Sequence, residues 1–166
     1  MKVGTDGVLL GSWANGGKRI LDIGTGTGLI ALMMAQRYTD AIIDAVEIDH
    51  DAALQAYENV SNTEFANRIK IVETAIQHYS TQDKYNAIVS NPPFFIDSLL
   101  NPNAQRSTAR HACALKYCEL FATVKALLDT AREFSAIIPT ECLQAFLAEA
   151  YKAGLAMSRQ CAVRTT

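Results

Sequence analysis

Apolar residues along the chain fall into short blocks with two different spacings, and their alternation predicts the elements. Arg19–Gly24 (RILDIG) is a short apolar run ending in glycine and reads as a strand. Leu29–Tyr38 (LIALMMAQRY) has helical apolar content and no breaker. Ala41–Asp49 (AIIDAVEID) reads as a second strand, and Asp51–Asn62 as a helix whose acidic first turn suits the helix dipole. Arg68–Thr74 and Tyr85–Ser90 supply a third and a fourth strand. Leu115–Leu128 follows as a long helix, Phe134–Pro139 as a fifth strand, and Glu141–Ala153 as a helix stopped at Gly154. Leu155–Arg164 reads as a sixth strand. Strands alternating with helices predict an α/β fold with a mainly parallel, twisted sheet covered by helices on both faces. One junction lacks a signal: a helix-to-strand turn is needed between Leu128 and Phe134, yet no glycine or proline stands there.

The length of 166 residues suits a single domain over residues 1–166. Folding a chain of this size buries roughly 70% of its unfolded surface, enough for a core. Apolar residues make up 49%, which excludes a disordered chain. No apolar run approaches the roughly 20 residues that cross a bilayer. MKVGTDG, followed only by VLL, lacks the form of a signal peptide, so a cytoplasmic location is expected. Cys113, Cys118, Cys142 and Cys161 form no C-x-x-C pair, and no metal is expected. His111, Cys113 and Cys118 read as ordinary side chains on or near a helix. A net charge of −2 advertises no general grip on nucleic acid, so any such contact needs a local basic patch.

The candidate chemistry begins at DIGTGTG, Asp22–Gly28, between the first strand and the first long helix. Gly24, Gly26 and Gly28 allow turns that a Cβ obstructs, and they let a ligand approach the main chain. The helix that starts near Gly28 offers N–H groups to a polar ligand. Glu47 ends the second strand nineteen positions past Gly28, where an acid meets ribose hydroxyls in nucleotide-binding α/β folds. The ligand is therefore expected to carry a ribose. The dinucleotide fingerprint is G-x-G-x-x-G, whereas here the third glycine comes one residue early. That spacing resembles motif I of class I S-adenosylmethionine methyltransferases. The resemblance implies a Rossmann-like fold, S-adenosyl-L-methionine as cofactor, and contacts from Asp22, Gly24, Gly26, Gly28 and Glu47.

NPPF, Asn91–Phe94, follows the fourth strand, whose carboxyl end faces the ligand crevice of an open α/β sheet. It resembles the [D/N/S]-P-P-[Y/F/W] motif of amino-group methyltransferases, which act on adenine N6 or glutamine N5. An exocyclic or amide nitrogen is a poor nucleophile because its lone pair is delocalised. The Asn91 carboxamide oxygen and the Pro92 carbonyl can each accept one of its hydrogens, favouring a pyramidal nitrogen aimed at the methyl donor. Proline restricts the backbone and so aims that carbonyl. Phe94 offers a flat face for a planar base or amide, and Phe95 either stacks beside it or points into the core. Displacement at a sulfonium needs positioning more than acid–base help, so neither His78 nor His111 is expected to act as a base.

Met1–Ala14, MKVGTDGVLLGSWA, resembles the segment ahead of motif I in the bacterial tRNA adenine-N6 methyltransferases that modify valine tRNA next to the anticodon. KVGTDG, the glycine loop, the acidic second strand and NPP[F/Y] occur in that order in the family and here, all within residues 1–94. The resemblance implies Thr5 and Asp6 beside the methionine end of the cofactor. Physically, either also suits an N-cap of the helix containing Val8 and Leu9. Such enzymes often carry an A-D-I-like acid after the third strand, but here TAIQ places Ala75 there. Adenine recognition then rests on backbone groups of Ala75 and Ile76. In NPNAQRSTARHA, a polar loop, Arg106 and Arg110 either meet RNA phosphate or stay solvated.

These features imply a tRNA adenine-N6 methyltransferase with tRNA as partner. A protein glutamine-N5 methyltransferase, a nicotinamide oxidoreductase and an inactive RNA-binding module are the competing expectations. Class I enzymes of this kind complete their sheet with an antiparallel strand beside the fifth. The 166 residues supply no such partner, so the natural chain is expected to extend at both ends.

Overall fold

The computed structural model describes residues 4–92 and 117–164. The chain falls into two compact units, Met1–Pro92 with Ala126–Ile137, and Pro93–Lys125 with Ile138–Thr166. In chain order the elements are α1 (Thr5–Trp13), β1 (Arg19–Ile23), α2 (Leu29–Arg37), β2 (Ile42–Glu47), α3 (His50–Ser61), β3 (Ile69–Glu73), β4 (Tyr85–Ser90), α4 (Tyr117–Leu127), β5 (Leu128–Ala136) and α5 (Leu143–Lys152). Single 3-10 turns lie at Ile76–His78 and Thr140–Cys142.

In the first unit the strands form one sheet in the order β3-β2-β1-β4-β5, and every neighbouring pair is parallel. The predicted parallel α/β architecture is thus present. Ile20, Leu21, Ile23, Ile43, Ala45, Val46, Ala87, Ile88 and Val89 are all buried, as expected for strands covered on both sides. Full burial of one such large aliphatic side chain stabilises by about 1.5–3 kcal/mol. α2 buries Ile30, Ala31, Met34 and Ala35, and α3 buries Ala52, Ala53, Ala56 and Val60. Both sets recur at helical spacing along one stripe. Asp49 caps α3, accepting the Ala52 N–H at 2.9 Å, a contact worth about 1 kcal/mol.

α1 packs on α2 at close range, because a Cβ on Gly11 would lie 2.7 Å from the Met33 sulfur. Arg37 of α2 donates to the Gly11 and Ala14 carbonyls at 2.6 and 2.8 Å and so satisfies the end of α1. The suggested side-chain cap on α1 is not made. Gly4 is the N-cap, no side chain bonds there, and Thr5 already belongs to the helix. At the strand starts, the Tyr85 hydroxyl donates to Asp44 at 2.7 Å, while Arg19 bridges Asp44 and Asp83 at 3.1 and 3.0 Å. These contacts tie β1, β2 and β4 together at the end opposite their carboxyl termini.

Two boundaries differ from the sequence prediction. β5 begins at Leu128, directly after α4, and ends at Ala136 rather than Pro139. Tyr85 pairs with Leu128 and Ala87 with Glu133, so two steps on β4 face five on β5. The surplus residues bulge out, and Ala131 there adopts a left-handed φ of 56°. The bulge supplies the turn for which no glycine was found. Leu155–Arg164 is not a strand, because nothing among the described residues pairs with it, and a lone strand does not persist in water.

In the second unit, Phe146 of α5 meets Tyr117 and Phe121 of α4 edge-on, with ring centroids 5.1 and 4.7 Å away. Each such pair adds about 0.5–1.5 kcal/mol beyond its buried area. Gly154, at φ 82°, stops α5 as expected, and its N–H reaches the Tyr151 carbonyl at 2.9 Å.

Candidate active site

The chain runs from β1 to β2 on one side of β1, while β4 lies on the other. In an open parallel sheet such a reversal opens a ligand crevice at the carboxyl ends. Ile23 pairs with both Val46 and Ser90. The residues that follow them, Gly24, Glu47 and Asn91, therefore leave three adjacent strands at one level. The buried Ser90 hydroxyl donates to the Ile23 carbonyl at 2.8 Å and locks the end of β4 to the end of β1. Asn91 is half-buried and Pro92 buried.

Gly24, Gly26 and Gly28 have φ of 69°, 58° and 85°, a region in which other residues are strained. A Cβ on Gly24 would meet nothing within 4 Å, so the backbone there borders open space. Thr25 Oγ1 donates to Asp22 Oδ2 at 2.6 Å, and the Ala31 N–H donates to the same oxygen at 3.1 Å. Glu47, 8% exposed, accepts the Gly26 N–H on Oε2 at 2.8 Å and the Ile48 and Asp49 N–H groups on Oε1 at 2.9 and 3.0 Å. Glu47 thus holds the glycine loop and the β2–α3 turn at once.

Asp22 is fully buried, and its Oδ1 has no hydrogen-bond partner among the described residues. Burial pushes its carboxyl up to about 7, against the opposing pull of Thr25 and Ala31, with the Glu47 charge adding a further rise. Because the folded value lies above the unfolded one of about 3.9, the protonated carboxyl favours the fold. That stability is complete below about pH 4 and is lost as pH rises toward about 7. The melting temperature of cofactor-free protein is expected to fall more steeply between about pH 4 and 7 than that of Asp22→Asn. Parallel melting curves for the two proteins would overturn this assignment.

The other sequence-derived residues fall around the same crevice. A Cβ on Gly7 would lie 3.2 Å from Leu29, which brings the first turn of α1, with Thr5 exposed and Asp6 half-buried, against the residue after the loop. The Thr74 N–H donates to the Glu47 carbonyl at 2.8 Å, so half-buried Ala75 and buried Ile76 continue beside the β2 end. Phe94, Phe95, Arg106, Arg110, His111 and Cys113 lie outside the described residues. His78 is exposed. Among the described residues no group of three or more His, Cys, Asp or Glu is placed to hold a metal, and no helix is long and apolar enough to cross a membrane.

Three further residues escaped the sequence reading. Ile48, beside Glu47, keeps 47% of its surface exposed, and only its place after the acid could have marked it. His50 Nδ1 lies 3.0 Å from Glu73, whose carboxylate raises the imidazole above its ordinary value and links α3 to the end of β3. Asn59 of α3 donates to the Thr27 carbonyl at 2.9 Å. No sequence signal distinguishes it from any other polar helix residue.

Solved structures with a similar fold include an S-adenosylmethionine-dependent O-methyltransferase from Thermotoga maritima, with a TM-score of 0.65, 16% identity, and coverage of 92% of this chain and 51% of that one. A precorrin-6y C5,15-methyltransferase from Geobacter metallireducens gives a TM-score of 0.64 at 12% identity, covering 89% and 70%. The fold is the Rossmann-like fold of class I methyltransferases, and the cofactor is S-adenosylmethionine. The family model of the methyltransferase small domain matches residues 4–115. Among curated relatives, a tRNA1(Val) (adenine(37)-N6)-methyltransferase of Parabacteroides distasonis is 48% identical over 164 residues, 96% of this chain and 69% of the relative. Proteins of that name from Bacteroides thetaiotaomicron and Bacteroides fragilis are 54% and 49% identical, covering 85% and 99% of this chain and 61% and 71% of theirs. The chain belongs to the methyltransferase small domain family and, among curated proteins, to the family of tRNA1(Val) (adenine(37)-N6)-methyltransferases.

The residues present fit the cofactor. Three glycines at positive φ leave the main chain bare, so a ligand can approach it closely. The buried, unpartnered Asp22 oxygen suits a cationic group.

Proposed function

We propose that the chain transfers a methyl group to N6 of an adenine next to the anticodon of a tRNA, with valine tRNA as the acceptor. One observation carries the reading: Gly24, Glu47 and Asn91 emerge at one level from adjacent strands, so a ribose-binding edge and an amino-group acceptor share one crevice. The names of the relatives, at 48–54% identity, support the choice of adenine in tRNA.

The cofactor supplies an activated methyl on a sulfonium. Every other contribution falls to the chain. Asn91 Oδ1 and the Pro92 carbonyl accept hydrogen bonds from the two amino hydrogens and turn the nitrogen lone pair outward. Phe94 stacks on the base in the resembling motif. Asp22 and Glu47 hold the loop, and Glu47 receives the ribose hydroxyls. Transfer from bound S-adenosylmethionine would leave S-adenosylhomocysteine and a methylated nitrogen, whose surplus proton would pass to water. No histidine is required.

The test is transfer of labelled methyl to tRNA lacking its own modification, followed by nucleoside analysis, with a release-factor glutamine substrate in parallel. The expected product is N6-methyladenosine from tRNA. Labelling of the glutamine substrate alone would replace this reading with amide methylation.

A further inference from the structure

We infer that Asn59 is a positioning residue for the cofactor, acting through the Thr27 carbonyl; the inference rests on the glycine loop being the cofactor site. Asn59 lies in the last turns of α3, where asparagine is a poor helix former. Its amide is oriented by contacts on both sides. Gln55 Nε2 donates to Asn59 Oδ1 at 3.2 Å, which leaves Asn59 Nδ2 to donate to Thr27 O at 2.9 Å. One turn earlier on the same stripe, the Ala56 Cβ lies only 3.5 Å from where a Cβ on Gly28 would stand. α3 therefore touches the loop at two consecutive residues, Thr27 and Gly28.

The rest of the loop is held from other directions. Gly24 and Thr25 donate to the Val46 carbonyl at 2.9 and 3.0 Å, Gly26 donates to Glu47, and Gly28 donates to the Thr25 carbonyl at 3.0 Å. Among these contacts Asn59 is the side chain that holds a loop carbonyl. An amide donor fixed on a carbonyl sets the plane of the Thr27–Gly28 peptide, and with it the entry into α2. Removing the donor loosens the Thr27–Gly28 peptide, and the cofactor must then order it when it binds.

The sharpest variant is Asn59→Asp in the full chain, which keeps the shape but sets a carboxylate oxygen against the Thr27 carbonyl. Asn59→Ala is its partner. Asn59 is only half-buried, so both variants should fold. Amide exchange at Gly26 and Gly28 in cofactor-free protein is expected to accelerate. The S-adenosylmethionine Kd should rise about tenfold, the scale of one lost hydrogen bond. With cofactor saturating, kcat and the KM for tRNA should be unchanged. Faster exchange with an unchanged Kd would make Asn59 merely structural, and unchanged exchange would overturn its hold on the loop. If wild-type protein shows protected loop amides yet binds no S-adenosylmethionine, the cofactor reading of the loop fails and this inference with it.

Discussion

Asn91→Ala is expected to fold, bind S-adenosylmethionine and lose about 10²–10³-fold in methyl-transfer rate, the scale of losing one oriented polar group at a reacting centre. The fold around this position depends on its neighbours. Ser90 bonds to the Ile23 carbonyl at 2.8 Å and accepts the Ile137 N–H at 3.4 Å, and Pro92 is buried. The half-buried Asn91 side chain stands at the end of that fixed strand, where it can address a substrate without being needed by the core. The measurement is kcat with both substrates saturating, beside the melting temperature. A rate that falls only as far as the melting temperature does would show a structural residue.

Glu47→Ala should weaken S-adenosylmethionine binding by roughly 1.5–3 kcal/mol, or about ten- to 150-fold, if charged hydrogen bonds are lost. The carboxylate has two tasks. It is proposed to receive ribose hydroxyls, and it already accepts three backbone N–H groups, from Gly26, Ile48 and Asp49. Alanine therefore removes a ligand contact and frees the Gly26 N–H from the grip that shapes the loop. Glu47→Gln should fall between wild type and alanine, since one of its oxygens can still accept. Calorimetry giving the same affinity for Glu47→Ala and wild type would remove Glu47 from the site.

The strand ends that carry the candidate site were legible in the sequence because they are marked by residue types with few other uses. Glycine at alternate positions after a strand, an acid closing the next strand, and asparagine before two prolines each carry their own geometry. β1 to β4 were equally plain, being short apolar runs bounded by polar turns. β5 was not, because Asp129–Arg132 is polar and its irregular pairing with β4 is decided by the neighbouring strand. Leu155–Arg164 misled for the converse reason, since apolar residues at strand spacing mean nothing without a strand beside them. The double duty of Glu47 and the reach of Asn59 into the loop depend on how β2 and α3 lie beside the glycine loop, and no local pattern encodes that.

The pairing of Ile23 with Ser90 joins residues 67 positions apart, and this has a consequence for folding. β1, β2 and β3, with α2 and α3, are contiguous in sequence and can assemble through short loops. β4 must then add to the far side of β1, closing a long loop whose entropy is lost before its contacts are gained, and parallel pairing of this kind is slow. The proposed acceptor Asn91 arrives only with that step, whereas the glycine loop and Glu47 precede it. With the site as proposed, a half-assembled sheet can meet the nucleoside end of the cofactor before it can meet the base. Cofactor present during synthesis then favours the on-pathway species by mass action, with about 1.4 kcal/mol gained for each tenfold excess over its dissociation constant.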